Sequence, residues 1–175
     1  MKKKSAKYMA NVGLTILVFG GLVVFATQNE SLGRALNILR PDVKVAISGT
    51  VQRDGQTLSL AKTESVRSGE ILNWNINSAN EGNASARGYK VVGQIPVGTI
   101  FVSGSAKGDD ITTVAYSIDG GKTFSAEPQI DEKQPDGSVK KVAAPVSAYT
   151  QVQFDWAKEF AADSQVSAAY RVRVK

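Results

Sequence analysis

From Pro41 to the C-terminus, apolar and polar positions alternate with a period of two. Val43, Val45 and Ile47 alternate with Lys44, Ala46 and Ser48, and Leu72, Trp74 and Ile76 with Asn73, Asn75 and Asn77. Val114, Tyr116 and Ile118 alternate with Ala115 and Ser117, and Val152, Phe154 and Trp156 with Gln151, Gln153 and Asp155. The longest run is the last: Val166, Ala168, Tyr170, Val172 and Val174 against Ser167, Ala169, Arg171, Arg173 and Lys175. A strand sends successive side chains to opposite faces, so each segment has one dry and one wet face. Thr57–Ala61, Tyr89–Gln94 and Thr99–Ser103 are shorter strand candidates. Turn dipeptides separate them, among them Asp54-Gly55, Ser68-Gly69, Asp119-Gly120-Gly121 and Asp136-Gly137.

The pattern predicts about seven to nine short strands and no long helical period. Wet outer faces call for antiparallel sheets, and two such sheets stacked face to face give a sandwich of immunoglobulin-like size. A domain of about 135 residues buries roughly two-thirds of its unfolded surface, enough to stand without covalent staples. Trp74, Tyr116, Phe154, Trp156 and Tyr170 are the expected core anchors. The polar stretch Glu127–Pro145, with Pro128, Pro135 and Pro145, reads as a long excursion between strands.

The first residues follow another rule. Lys2, Lys3, Lys4 and Lys7 precede an uncharged stretch, Tyr8 to Asn29, whose most apolar part is Val12 to Ala26. A basic tip before such a run marks export, as a retained anchor or as a signal cut after Ala26. Spanning a bilayer takes about 20 helical residues, which residues 8–28 supply; retention is the preferred reading. In either case the chain from Gln28 onward is expected outside the cytoplasm, because the lysines stay inside. Ser31 caps a short helical stretch ended by Pro41. The expected organisation is therefore a signal-anchor or signal peptide over 1–28, a linker over 29–41, and the sandwich over 42–175.

Composition removes several function classes. The chain has no cysteine and no histidine, which excludes disulfide scaffolds, thiolate zinc sites and Ser–His–Asp or Cys–His nucleophiles. It carries 21 Lys+Arg against 16 Asp+Glu, net +5. Four of those lysines lie at the tip, so the rest is nearly balanced and nucleic acid is not an expected partner.

The remaining chemistry is sparse. Ser117-Ile118-Asp119-Gly120-Gly121-Lys122-Thr123-Phe124 fits Ser-x-Asp-x-Gly-x-x-aromatic, an arrangement similar to the Asp-box of sialidase propellers. Its Ser and Asp oxygens can take up backbone N–H groups while the glycines permit positive φ. A propeller needs several copies, so a structural turn is the simpler reading. Asp109-Asp110 and Asp131-Glu132 with Asp136 group acids, yet calcium needs six to eight converging oxygens and the EF-hand spacing is missing. Arg171, Arg173 and Lys175 form a basic row, suited to anionic envelope polymers or lipid headgroups, or simply to discouraging edge aggregation. Asn73, Asn75 and Asn77 form a polar ladder of the kind that lines sugar-binding faces, or a solvated sheet surface. Asn83-Ala84-Ser85 is a formal glycosylation sequon.

Three segments together resemble a known family. They are Asn73–Ala86 followed by Tyr89–Thr99, then Tyr116–Phe124, then Ala169–Lys175. The run Asn80-Glu81-Gly82, a small-residue stretch, a strand and Ile95-Pro96-Val97-Gly98-Thr99 is similar to the bacterial conserved-repeat domain, the domain of unknown function numbered eleven. The resemblance implies an immunoglobulin-like sandwich in exported or envelope proteins, without catalysis or a defined ligand. This chain departs from the family in having one copy, in Gln94 where Asp is usual, and in Ala157–Asp163, expected to form one helical turn.

The expectation is an all-β protein, an immunoglobulin-like antiparallel β-sandwich preceded by an N-terminal transmembrane or signal helix. It is expected to be a non-enzymatic, extracytoplasmic cell-envelope protein with structural or interaction roles. Its expected partners are the membrane, through residues 8–28, and other envelope proteins or copies of itself. No catalytic residue, metal or cofactor is assigned. Two alternatives stand beside it. One is a surface-filament subunit assembling by strand addition through Val43–Ile47. The other is a ligand- or carbohydrate-binding module using loops such as Glu127–Pro145.

Overall fold

A computed structural model describes residues 39–109 and 111–175. The expected membrane segment over 8–28 and most of the linker lie outside the described residues. Among the described residues no helix is long and apolar enough to cross a membrane.

The described chain is built of antiparallel strands in three sheets. The largest contains β1 (Val43–Arg53), β2 (Gln56–Ser59), β3 (Ile71–Asn80), β5 (Thr99–Phe101), β6 (Lys107–Gly108) and β11 (Ser164–Val174), in the order β2-β1-β3-β11-β5, with β6 also against β11. A second sheet has β10 (Gln151–Trp156) between β4 (Lys90–Gln94) and β7 (Thr112–Ser117). The third is a hairpin, β8 (Gln129–Lys133) with β9 (Val139–Ala143).

Both larger sheets turn their apolar faces to one core. Opposite residues of an antiparallel pair share a face. Ile47 pairs Ile76 and Ala168 pairs Ile76 in one sheet, while Phe154 pairs Val91 and Val114 in the other. Val51, Ile76, Val91, Val152, Phe154 and Val172 are all fully or almost fully buried there. Bonds also cross between the sheets. The Tyr170 hydroxyl of β11 donates to the Gln94 carbonyl of β4, and the Tyr89 hydroxyl donates to Ser78 Oγ at 2.7 Å. Gly93 is glycine for a steric reason: a Cβ there would sit 2.4 Å from the Tyr170 ring.

The strand order differs from an immunoglobulin constant domain. There the last strand joins the smaller sheet, in orders A-B-E-D and C-F-G. Here the last strand, β11, lies beside β3 in the larger sheet, and β7 takes the place beside β10. The 11 residues of β11 match the 10 of β3 across a ten-pair register, whereas β10, its neighbour in the immunoglobulin order, offers only 6, so the long dry stripe of β11 is covered more fully beside β3.

Several local expectations need correction. Trp74 and Tyr116 lie on the dry face but are only half-buried. Phe160 and Tyr89 replace them as deep aromatics at 2% and 4% exposure, with Tyr89 ringed by Trp156 and Phe160 at centroid distances of 5.4 and 5.0 Å. Ala157–Asp163 holds no helical turn. Phe160 instead exchanges two 2.8 Å backbone bonds with Ala86, because its ring is pulled inward and its backbone then needs an extended partner. Strand β7 stops at Ser117, leaving Ile118 in a turn. Within the Glu127–Pro145 excursion lies the β8–β9 hairpin, whose register sets Asp131 against Lys141 and Glu132 against Lys140.

Candidate functional site

The middle of the large sheet's wet face carries short side chains. Ser48 of β1, Asn75 of β3 and Ala169 of β11 stand opposite one another across three strands, and Ala46, Asn77 and Ser167 form the next row. Period-two alternation puts these six positions on one side, and their short side chains leave a depression. Strand β6 raises the far wall: Lys107 pairs Ala169, and Gly108 and Asp109 follow it. The result is an open trough of about 500 Å³, lined by Ser48, Asn75, Asn77, Ser167 and the Lys107–Asp109 segment.

The wall is held from below. Asp109 accepts the Trp156 indole N–H at 3.0 Å on Oδ1, and the Ser167 backbone N–H at 2.6 Å on Oδ2. Gly108 is needed because a Cβ there would meet Thr112 at 2.5 Å. Asp109 therefore ties β7, β10 and β11 together at the trough's edge. Its expected partner in an acidic pair, Asp110, lies outside the described residues.

The structure brings together residues that the sequence offered separately. Arg171 pairs with Asn73 and Arg173 with Ile71, so the basic row continues the asparagine ladder along one face. Arg171, Arg173 and Lys175 are exposed. No described carboxylate lies within ion-pair distance of them or of Lys107. The amides of Asn75 and Asn77 make no hydrogen bond within the described chain. Asp109, singled out in the sequence as half of an acidic pair, serves instead to hold the wall, and Lys107 carries no sequence signal beyond a short Lys-Gly-Asp run without periodicity.

The other candidates fall elsewhere. The Ser117–Phe124 segment forms the expected turn: Ser117 Oγ donates to Asp119 Oδ1 at 2.7 Å and accepts the Gly121 N–H at 2.9 Å. Asp119 accepts the N–H groups of Lys122 and Thr123, both at 3.0 Å, and the Thr123 hydroxyl at 2.6 Å. These donors stabilise the carboxylate and hold its pKa well below the usual range, the Thr123 hydroxyl contributing most. Asp131 and Glu132 face lysines across the hairpin, while Asp136 caps its turn through Ser138 N–H at 2.9 Å. Among the described residues no three acids group as a metal site would require. Asn83 of the sequon accepts the Arg40 N–H at 2.8 Å, anchoring the lead-in to β1. Comparison with known proteins finds no matching family, and no curated protein or solved structure similar to the chain.

One further feature lies at the sheet's edge. Strand β1 pairs with β3 over Val43–Val51 but with β2 only over Thr50–Arg53. The outer side of Val43–Gly49 has no strand against it among the described residues.

Proposed function

We propose that this chain is a non-enzymatic cell-envelope protein. Its single domain is a two-sheet β-sandwich of immunoglobulin-like size with its own strand order. Residues 8–28 carry the domain through the membrane and, in the retained form, anchor it there. The domain stands outside the cytoplasm and works by contact, through the trough-bearing face of its large sheet. The relation to the bacterial conserved-repeat domain belongs to the same proposal. It is supported by the turns of the matching segments: Gly98 at φ +85° before Thr99, and Gly82 where a Cβ would strike the Arg40 carbonyl at 2.3 Å.

The observation that carries the reading is the junction of a lysine tip and apolar run with a cysteine-free, wholly antiparallel β domain whose outer faces are polar. The test is protease shaving of intact cells with intact-mass measurement of the membrane fraction. Surface cleavage from a membrane-held chain of full mass supports anchoring, and loss of about the first 26 residues supports a cleaved signal. A chain protected in the cytosol sinks the proposal.

A second reading, assembly by strand addition, is favoured by the open side of β1. Val43–Ile47 already sits in its own sheet, so donation of that strand is replaced by addition along its free side. Sedimentation over a wide concentration range tests it: a monomer throughout removes it.

A further inference from the structure

We propose that the trough on the large sheet binds an acidic glycan strand, a chain of sugar or polyol hydroxyls interspersed with carboxylates or phosphates. The inference rests on the reading of the domain as an extracytoplasmic contact module.

The floor chemistry sets the ligand's polarity. Asn75 and Asn77 each present an amide that donates and accepts, and neither amide is used within the described chain. Ser48 adds a hydroxyl that is also unbonded. Amides of this kind match paired hydroxyls, which need a donor and an acceptor side by side. Nothing in the lining is a large apolar side chain, and no aromatic ring faces it. Apolar ligands and ring-stacked bases therefore gain little there.

The rim sets the charge. Lys107 stands on the wall, and Arg171 and Arg173 extend the same face beyond Asn73, none of them ion-paired within the described chain. The one described acid in the lining, Asp109, directs its oxygens at Trp156 and Ser167. Lys44, on the same face of β1, is matched by Asp42 at 2.9 Å. The uncompensated charge is thus positive and faces outward, which suits an anion in a hydroxylated chain.

The shape sets the form. A space of about 500 Å³ falls within the size range of small-ligand sites, yet this one is open along the face. An extended polymer can cross it, whereas an enclosed small molecule would lose most of its contacts to water. A peptide would find a sheet face rather than a sheet edge, with no free backbone groups to pair.

The experiment uses the full chain in detergent micelles, with binding followed by calorimetry at physiological salt. The probes are an oligogalacturonate, a poly(glycerol phosphate), a neutral maltohexaose and a DNA oligonucleotide of matched charge. Binding of either acidic hydroxylated polymer, with little binding of the other two, is the expected result; the pair tells carboxylate from phosphate sources. Lys107→Glu and Asn75→Ala/Asn77→Ala are each expected to weaken binding about tenfold or more, the loss of a charge-assisted hydrogen bond or of two neutral ones. Lys122→Glu, in the Asp119 turn, is expected to leave it unchanged. Unaltered melting and circular dichroism show that each variant is folded. Failure of both acidic polymers to bind overturns the inference, as do equal binding of DNA and equal losses in the Lys107 and Lys122 variants. Protease shaving of cells bears separately on location, so a surface-exposed chain that binds none of the probes rejects the glycan and leaves the envelope reading standing.

Discussion

On the outer face of the three-stranded sheet, Gln151 of β10 stands opposite Ser117 of β7, and both are buried, at 8% and 1% exposure. A loop closes over them. The Asp119 turn lays Gly121 against the Gln151 amide, and Gln151 donates to the Gly120 carbonyl at 3.3 Å. Further along the same face, Lys90 and Asp155 neutralise each other at 2.7 Å. On the outer face of the six-stranded sheet the matching positions stay open: among the described residues the Asn75 and Asn77 amides have no partner, Lys107, Arg171 and Arg173 have no counter-charge, and a hollow lies where side chains are short. Both faces arise from the same alternation, so alternation alone does not decide whether a face stays open. The difference lies in whether the chain spends its polar groups on itself.

Both faces rest on one core, and the largest expected effect comes from breaking it. Phe154→Ala removes a ring with no exposure, beside Trp156 and Tyr170 at centroid distances of 6.4 and 6.5 Å. We expect a loss of about 3–5 kcal/mol in urea unfolding, since the cavity adds to the lost transfer energy. Gly93→Ala tests the contact between the sheets more gently. The new methyl must displace the Tyr170 ring, whose hydroxyl is fixed on Gln94, and a loss of about 1–3 kcal/mol is expected. A neutral Gly93→Ala would mean that the sheets slide freely over each other.

The capped face is the next to test. Ser117→Ala strips the buried oxygen that receives the Gly121 and Asp119 N–H groups and donates to the Asp119 carboxylate. The expected cost is about 1–3 kcal/mol, the penalty for leaving buried polar groups unpaired. A change near zero would show that water replaces the serine, and the contrast between the faces would collapse.

How far the two faces were legible depends on which interaction builds them. Alternation at Leu72–Ile76, Val152–Trp156 and Val166–Val174 gave the right dry face each time, because the core enforces a two-residue period. Alternation with its neighbours puts Ser117 on the wet face, yet a loop buries it, and loops follow no period. Phe160 is core without a period to mark it, because it is pinned by its isolated backbone pair with Ala86, whereas Tyr89 shares the alternation of the buried Val91 in the candidate strand 89–94. The asparagine ladder and the arginine row were both legible. Their adjacency was not, because it depends on β11 lying beside β3, a choice made by strand length and burial across the fold.

Acid distinguishes the chain's self-satisfied charges in another way. Glu70 takes both Arg53 nitrogens, at 2.6 and 2.8 Å, and the Arg67 N–H at 2.7 Å. The Arg53 hydrogen bonds foremost lower its pKa from 4.5 to about 2. A carboxylate with a lowered folded pKa stabilises the fold above its unfolded value and loses that contribution as pH falls toward the folded one. Stability is therefore expected to drop from about pH 4.5 down to about pH 2. Glu70→Gln should flatten that limb, and Asp119→Asn should flatten its lowest part. An acid limb identical in the wild type and both variants would assign the loss to other groups.

The smallest expected effect is the sharpest for the comparison. Asn75→Ala and Asn77→Ala remove amides that bond to nothing in the described chain, on a face that water already reaches. Stability should stay within about 0.5 kcal/mol of the wild type, as for surface changes away from caps, cores and networks. Alanine also suits the small neighbours Ala46 and Ala169, so no clash offsets the change. A residue that costs nothing to remove, at the centre of a long sheet where Thr, Lys or Glu would fill the space, is not held there by folding. Thermal melts of the two variants beside Ser117→Ala give the ratio directly. Equal losses on the two faces would mean that the open face, too, is satisfied from within, by water or by the residues before Leu39.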